Sequence, residues 1–389
     1  MAIILFDNCL RHQLYPLTAT RAVADIRLGI LTAKEWWQHR TQQQVYVITE
    51  DYLMPLYENL PKGEHVLVDA SLFPFDDMLE RILELQTGTA IVDEKGIVAG
   101  KLNVYVSLQM NDIQTNLFSK IISSTETFQR LEYPWQIFQW NDEVIRSDFK
   151  LITAGRTSMP ISATNHTVQA ADIFIEEGAK VEFAFLNASA GPIYIGKNAE
   201  VWEGACIRGP FALGENSVVK MGAKIYGATT IGPWCAAGGE IKNVVMTGYS
   251  NKAHDGYLGD SVIGEWCNLG AGTSNSNVKN TGGPVKMWNA FTQHMEIAGN
   301  KAGVIMGDYS RTAINSSINT GSIIGVCANV FANGLLPKVI DSCTWGITET
   351  YDFQKALEDI ANWKRMKHCE ISDEEVQMLQ HIFAAGKGK

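Results

Sequence analysis

Between residues 195 and 231 the aliphatic positions of the chain recur with a period of six residues. This period fits neither a helix nor a half-buried strand, whose apolar positions recur at about 3.6 and about 2 residues. It predicts a parallel β-helix, in which three short strands form each triangular coil and one aliphatic side chain per strand points inward. The positions that carry the period are Ile195, Val201, Ile207, Leu213, Val219, Ile225 and Ile231.

The six-residue period is interrupted twice after residue 231. The first interruption predicts an irregular coil between residues 237 and 256, and the second predicts an excursion out of the β-helix from Ser276 to Gly303. A weak start precedes the regular part at Ile175 and Val181. The period resumes at Tyr257, Ile263 and Leu269, and again at Met306, Ile318, Ile324, Val330 and Leu336.

The two ends of the chain follow different patterns. Residues 1–164 alternate short apolar runs with helical spacing, which predicts an α/β domain of Rossmann-like kind with a helix from Phe75 to Leu85. Residues 165–346 hold the β-helix. Residues 347–389 have helical spacing, and Ser372 with Glu375 forms a capping box that begins a second helix. The predicted strands of the first domain are Ile3–Phe6, Val45–Ile48 and Val66–Val68.

Composition narrows the class of protein. The chain has 389 residues, 46% of them hydrophobic, without an apolar run long enough to cross a membrane or a secretory signal at its start. Seven cysteines without metal spacing fit a reducing cytoplasm and no metal site. The formal charge of −10 argues against nucleic acid as a partner. We therefore expect a cytoplasmic protein that acts on small molecules and is bound to no membrane.

Polar residues with chemical potential gather where the repeat breaks. Neighbouring coils lie about 4.8 Å apart, so residues distant in sequence meet on one surface. A histidine among lysines tends to stay neutral, which suits a general base. The alternative is that His254 only caps a surface loop. The residues in this region are Lys242, Asn251, Lys252, His254, Tyr257, Asn268 and Asn277.

The stretch from Glu240 to Asn277 resembles the acetyltransferase domain of the bifunctional glucosamine-1-phosphate acetyltransferase/N-acetylglucosamine-1-phosphate uridylyltransferase family. It is also similar to archaeal sugar-1-phosphate nucleotidyltransferases that carry the same domain. The resemblance rests on His254, a two-residue gap, Tyr-Leu-Gly-Asp and then Asn-Leu-Gly-Ala-Gly-Thr. It implies a left-handed β-helix and acetyl-CoA as a substrate. By this match His254 is the general base, Lys242 binds the sugar phosphate, Tyr257 and Asn268 contact the sugar, and Asn277 lies near the acetyl thioester.

Other positions of the match carry further implications. Ala271, Asp308 and Ala332 fall on cofactor-binding positions, although Asp308 stands where a serine is expected. Tyr226 stands where the family has an arginine, so Lys220 or Lys224 could substitute for it. The oxyanion of the tetrahedral intermediate needs a donor, which is either a backbone N–H or an asparagine amide.

The N-terminal domain resembles the same enzymes less closely. Residues 11–29 look like the start of a sugar nucleotidyltransferase, with Arg21 where those enzymes carry a catalytic lysine. Asp69, followed by Leu72 and Phe73, resembles the strand that delivers a metal-binding aspartate. The glycine-rich phosphate loop is missing between Leu5 and Leu14. The domain is therefore either a nucleotidyltransferase that needs Mg²⁺ or an inherited fold with altered or lost activity.

The function that these features favour is sugar-nucleotide biosynthesis. The β-helix would acetylate the amino group of a glucosamine-1-phosphate-like sugar. The N-terminal domain would transfer a nucleotidyl group from UTP or dTTP to a sugar 1-phosphate. The alternative is a non-catalytic regulator or scaffold. A zinc carbonic anhydrase is excluded, because the histidines lack the required coil spacing. Three prisms with flat faces can pack around a three-fold axis. The resemblance implies such a homotrimer, with each acetyltransferase site between subunits.

Overall fold

The computed structural model describes residues 1–72, 76–105, 108–126 and 128–386. Phe73 and Phe75, named above beside the third strand and at the start of the helix, lie outside these ranges. The predicted order of an α/β domain, a parallel β-helix and C-terminal helices is confirmed. Within the described residues, the helices are all too short or too polar to cross a membrane.

The N-terminal domain is one mixed sheet flanked by helices. Its strands are β1 (Ala2–Phe6), β2 (Val45–Ile48), β3 (Gly63–Asp69), β4 (Thr89–Asp93), β5 (Gly96–Val104) and β6 (Lys120–Ser123). Its helices are α1 (Ala33–Thr41), α2 (Asp76–Leu83) and α3 (Gln136–Thr153). The strand order is β2-β1-β3-β5-β4-β6, with β1 parallel to both of its neighbours and β5 antiparallel to both of its own. The three strands predicted from the sequence are confirmed.

Each coil of the β-helix contributes one strand to each of three faces, which we call A, B and C. Face A contains β9 (Lys180–Val181), β12 (Glu200–Val201), β15 (Val218–Val219), β18 (Ala236–Ala237), β20 (Asn251–Lys252), β22 (Asn268–Leu269), β27 (Arg311–Thr312), β30 (Asn329–Val330) and β32 (Thr344–Trp345). Face B contains β7 (His166–Val168), β10 (Phe185–Asn187), β13 (Cys206–Arg208), β16 (Lys224–Tyr226), β23 (Ser274–Asn275) and β28 (Ser317–Ile318). Face C contains β8 (Ile173–Ile175), β11 (Ile193–Ile195), β14 (Phe211–Leu213), β17 (Thr229–Ile231), β26 (Val304–Met306), β29 (Ser322–Ile324) and β31 (Val339–Ile340). Two long strands, β19 (Glu240–Gly248) and β21 (Tyr257–Glu265), bend through the corner between faces B and C.

Three further elements lie outside the regular coils. The excursion predicted from Ser276 to Gly303 is confirmed as an antiparallel hairpin of β24 (Val285–Asn289) and β25 (His294–Gly299). Strand β33 (Glu349–Thr350) pairs antiparallel with β32. The chain ends in α4 (Phe353–Arg365) and α5 (Asp373–Gly386), and the predicted capping box of Ser372 and Glu375 precedes α5.

The inward positions follow the six-residue period with one correction. All seven residues from Ile195 to Ile231 and those from Met306 to Leu336 are buried in the lumen. After the irregular coil, however, Leu258 points inward and Tyr257 points outward, contrary to the expected phase. The reason is that β19 and β21 pass the corner between faces B and C in five residues, from Ile241 to Met246 and from Leu258 to Ile263, one residue fewer than the period.

The N-terminal domain packs on the outer side of face C. There Val245, Val262, Ile305 and Ile323 form one column across four strands, and all four share a core with the domain. The hairpin of β24 and β25 adds apolar side chains to the same core. The excursion therefore fastens the β-helix to the N-terminal domain.

Helices α4 and α5 pack on the corner between faces C and A. Trp266 and Tyr309 of this corner are buried with Ile360 and Leu379 of the two helices. In the described part of the chain, face B and the corner between faces A and B stay open. A ligand can therefore reach the β-helix most easily there.

Asp148 of α3 holds the loop that lies between α3 and face C. Its Oδ2 accepts hydrogen bonds from the N–H groups of Ile30 (2.8 Å) and Leu31 (3.1 Å). Its Oδ1 is buried without a partner among the described residues. Burial raises the pKa of Asp148 to about 7, although the two backbone hydrogen bonds oppose this shift.

We predict that Asp148→Asn stabilises the protein above pH 7 and changes little near pH 4. A raised carboxyl pKa stabilises the fold below the unfolded pKa, and this contribution is lost as the pH rises through about 7. An amide keeps the acceptor without the buried charge, so the gain is on the order of 2 kcal/mol. Urea unfolding at pH 4.5 and 8 measures it. An equal effect at both pH values would contradict this assignment.

Candidate functional site

Two outward columns of polar side chains cross face B. Lys224, Glu240 and Tyr257 occupy one column on successive strands, and Tyr226 and Lys242 occupy the other. The Tyr226 hydroxyl donates a hydrogen bond of 2.7 Å to Glu240 Oε1, which joins the two columns. The predicted residues Lys224, Tyr226, Lys242 and Tyr257 are thus brought onto one surface.

Gly259 completes the column of Tyr226 and Lys242. A Cβ at this position would lie 2.2 Å from the hydroxyl oxygen of Tyr257, so only glycine leaves room for the tyrosine ring. Burial and the charge of Asp260 raise the pKa of Tyr257 to about 12. The hydroxyl therefore remains a hydrogen-bond donor at neutral pH.

His254 lies at the corner between faces A and B, on the exposed turn between β20 and β21. Lys252, directly before this turn, occupies an inward position that is aliphatic in most other coils, and it is only 1% exposed. Its ammonium group donates hydrogen bonds to the carbonyl oxygens of Gly238 (3.3 Å) and His254. Burial lowers the pKa of Lys252 to about 8, against the opposing charge of Asp255. Lys252 thus ties the backbone of His254 to the preceding coil.

Asn277 is held by a network around Asp260. Its amide nitrogen donates to the Tyr257 hydroxyl (3.0 Å) and to one carboxylate oxygen of Asp260. Asn243 donates to the other oxygen of Asp260 at 2.8 Å. Both N–H groups of Asn277 are therefore engaged, and its carbonyl oxygen is the group left for a ligand. Asp260 lies inside the Tyr-Leu-Gly-Asp run, but its role needs the spatial contact with Asn277, which sequence spacing does not show.

The remaining predicted residues of the β-helix lie at two corners and on face A. Lys220, Ala271 and Ala332 lie at the corner of faces A and B, as His254 does. The Lys220 ammonium sits 3.6 Å from the centre of the Trp202 ring. Asn268 points outward from face A, on the other side of the corner from Tyr257.

Asp308 is not among these residues, because it lies at the corner between faces C and A. There it forms a buried ion pair with Arg21 of the N-terminal domain and accepts a hydrogen bond of 2.7 Å from Thr20. Arg21 also pairs with Glu265 at 3.0 Å. The structure thus brings Arg21 and Asp308 together with each other, and with neither His254 nor Asp69.

At the carboxyl edge of the N-terminal sheet, charged side chains pair with one another. Arg11 pairs with Asp7 at 2.9 Å, and Thr49 donates to the same carboxylate. Arg130 pairs with Asp69 at 2.9 Å. Burial raises the pKa of Asp7 to about 6 and raises that of Asp69.

A divalent cation does not fit these contacts. Both oxygens of Asp69 already accept hydrogen bonds, from Ser71 on one side and from Asn8 and Arg130 on the other. The Arg130 guanidinium occupies the place that a cation would take. Among the described residues, no three histidine, cysteine or acidic side chains are grouped as a metal site.

Comparison with known proteins gives matches to parts of the chain. Residues 3–157 match a family described as sugar nucleotidyl transferase. The bifunctional protein GlmU of Methanocaldococcus jannaschii is 35% identical over 106 residues, which are 27% of this chain and 26% of that protein. The bifunctional sugar-1-phosphate nucleotidylyltransferase/acetyltransferase of Sulfurisphaera tokodaii is 33% identical over 99 residues, 25% of this chain and 24% of that protein. The match therefore spans about a quarter of the length of these relatives.

Among solved structures, an Arabidopsis UDP-N-acetylglucosamine acyltransferase aligns with 58% of this chain and 94% of its own, at 16% identity and a TM-score of 0.26. The sequence relatives and the family that matches residues 3–157 are transferases. They confirm the resemblance to bifunctional sugar-1-phosphate enzymes for parts of the chain.

We predict that Arg21→Ala weakens the contact between the N-terminal domain and the β-helix. Removing one partner of a buried ion pair leaves the other charge unpaired and costs about 3–5 kcal/mol. Asp308 and Glu265 would both lose their partner. The free energy of unfolding in urea measures the loss.

Arg81→Ala is the matched control, because its ion pair with Glu126 is exposed. Such pairs contribute about 0–1 kcal/mol. Equal stability of the two variants would show that Arg21 does not support the domain contact.

Proposed function

We propose that the protein transfers an acetyl group from acetyl-CoA to the amino group of an amino-sugar 1-phosphate, in sugar-nucleotide biosynthesis. The observation that carries this proposal is the exposed His254 at an open corner, beside the columns of Lys242 and Tyr257 on face B. The sequence resemblance gives these residues the roles of base, phosphate ligand and sugar contact. All seven cysteines are free, which supports a reducing compartment such as the cytoplasm.

In this reaction His254 acts as the general base. The sugar amine attacks the thioester carbonyl and passes its proton to the neutral imidazole, and the thiol of CoA leaves. Lys252 positions the turn that carries the imidazole. Lys242 supplies a fixed cation for the sugar phosphate, and Lys224 in the neighbouring column adds a second positive charge.

The donor for the oxyanion is a backbone N–H in this proposal. Asn277 is the other option from the sequence, but its N–H groups are engaged by Asp260 and Tyr257. Its free carbonyl oxygen suits an acceptor role toward an N–H group of either substrate.

Nucleotidyl transfer by the N-terminal domain is the second candidate, favoured by the family match over residues 3–157. In the described residues, Asp69 is engaged by Arg130 and Arg21 by Asp308. This activity would therefore require Asp69 to be released from Arg130, since the present contacts leave no place for a metal ion.

We further propose that three copies pack through the corner between faces A and B. Large apolar side chains protrude there, with Met221 66% and Ile314 68% exposed. They lie two coils before and two coils after His254 along the same corner. Exposed apolar residues grouped on one surface mark contacts between proteins, and such a contact would place each His254 beside a neighbouring subunit.

We predict that His254→Ala lowers acetyl transfer by about 10²–10⁴-fold, the usual effect of losing a general base. The assay follows thiol release from acetyl-CoA with a panel of amino-sugar phosphates. The melting temperature should not change, because the side chain is exposed. His294→Ala, which removes an exposed histidine of the hairpin, is the control. Full activity of His254→Ala would refute this role, and inactivity of the wild type would favour the scaffold alternative.

We predict that the wild type is a trimer in light scattering and that Met221→Lys with Ile314→Lys gives monomers. Charged side chains at an apolar contact would have to be desolvated without partners. The chain mass of 43.0 kDa separates the two states clearly. A wild-type monomer at micromolar concentration would refute the shared site.

A further inference from the structure

A strip of polar side chains runs along the outer side of face A, between the corner of His254 and helix α4. Asn251, Asn268, Arg311 and Asn329 occupy equivalent positions on four successive strands. Asn251 accepts a hydrogen bond from Lys367 at 3.3 Å. Arg311 and Asn268 make no side-chain hydrogen bond with the described part of the chain.

Arg311 is buried although its guanidinium has no acceptor. The residue is 7% exposed, and its Nε and Nη2 atoms are shut off from solvent without a partner among the described residues. The guanidinium carbon lies 5.5 Å from the centre of the Trp363 ring of α4. Burial lowers the pKa of Arg311, but an arginine keeps its charge even so.

The other buried arginines of this chain show that Arg311 is an exception. Arg11, Arg21 and Arg130 each pair with at least one carboxylate. The carboxylate of Asp359 acts on Arg311 only at a distance and is engaged by the Tyr351 hydroxyl. A buried charge without a partner is strongly unfavourable, so the site is incomplete without an anion from outside the described residues.

We propose that Arg311 and Asn268 form a binding site for a phosphoryl group of a ligand. The Nε and Nη2 atoms form one edge of the guanidinium, which can donate two parallel hydrogen bonds to a phosphate or another oxyanion. The Asn268 amide lies on the adjacent strand and can donate a third. The indole of Trp363 covers the guanidinium, so the indole must move aside when the anion enters.

The site is distinct from the phosphate position at Lys242, which lies on face B. It lies on face A, next to the corner that carries Ala271 and His254, whereas Lys242 lies on the other side of that corner. A sugar phosphate, a coenzyme A phosphate, a nucleotide and free phosphate all offer the required chemistry. The inference does not depend on acetyl transfer, because an anion can bind here whether or not His254 is a base.

The test measures melting temperature and dissociation constants for the wild type, Arg311→Met and Arg365→Met. The probes are inorganic phosphate, glucosamine 1-phosphate, coenzyme A, 3′-dephospho-coenzyme A and UTP. Arg365 is the control, because it is an exposed arginine on α4, the helix that carries Trp363, and its one side-chain hydrogen bond among the described residues is to Asn362. We expect at least one probe to bind the wild type and Arg365→Met equally and Arg311→Met at least about tenfold more weakly.

Two further results separate a binding role from a structural one. Without ligand, Arg311→Met should melt at or above the wild-type temperature, because it removes an unpaired buried charge. A lower melting temperature together with unchanged affinity for every probe would overturn the proposal, as would a wild type that binds none of them. His254→Ala should retain the phosphoryl binding, so a failure of the acetyl-transfer proposal can be recognised separately.

Discussion

The arrangement of this molecule depends on the burial of one apolar column, Val245, Val262, Ile305 and Ile323, on the outer side of face C. A β-helix needs apolar residues only inside its lumen, so apolar residues on an outer face require a second layer. The N-terminal domain provides that layer. Because face C is covered by this domain and the corner next to it by α4 and α5, face B and its corner with face A remain for chemistry.

The ion pairs also differ between the covered and the open surfaces of the β-helix. Arg21 and Asp69, which resemble nucleotidyltransferase residues, are engaged with Asp308 and Arg130. The pair of Arg21 and Asp308 joins the N-terminal domain to the β-helix, and the pair of Asp69 and Arg130 joins two segments of that domain. On the open side, Lys242 and His254 have no ion pair within the described residues, as expected of groups that meet a charged substrate.

Much of the fold could be predicted from the sequence, because the six-residue period reports directly on which side chains face the lumen. The phase at the start of β21 could not be predicted, since a corner that is one residue shorter moves Leu258 inward in place of Tyr257. The surface that carries Lys242 and Tyr257 was also predictable from the run near His254. The engagement of Asn277 by Asp260 and the place of Asp308 were not, because both depend on contacts between distant segments.

The hairpin of β24 and β25 has a consequence for folding cooperativity. A stack of coils is a quasi-one-dimensional array, in which each repeat contacts only its neighbours and the array can unravel from one end. Here the hairpin leaves the array between β23 and β26, and its Val285 and Met287 enter the core of the N-terminal domain. The coils on both sides of the hairpin contribute to that core through Val262 and Ile305. The coils from β19 to β29 therefore cannot unravel without opening the N-terminal domain, so these coils and the domain unfold as one cooperative unit.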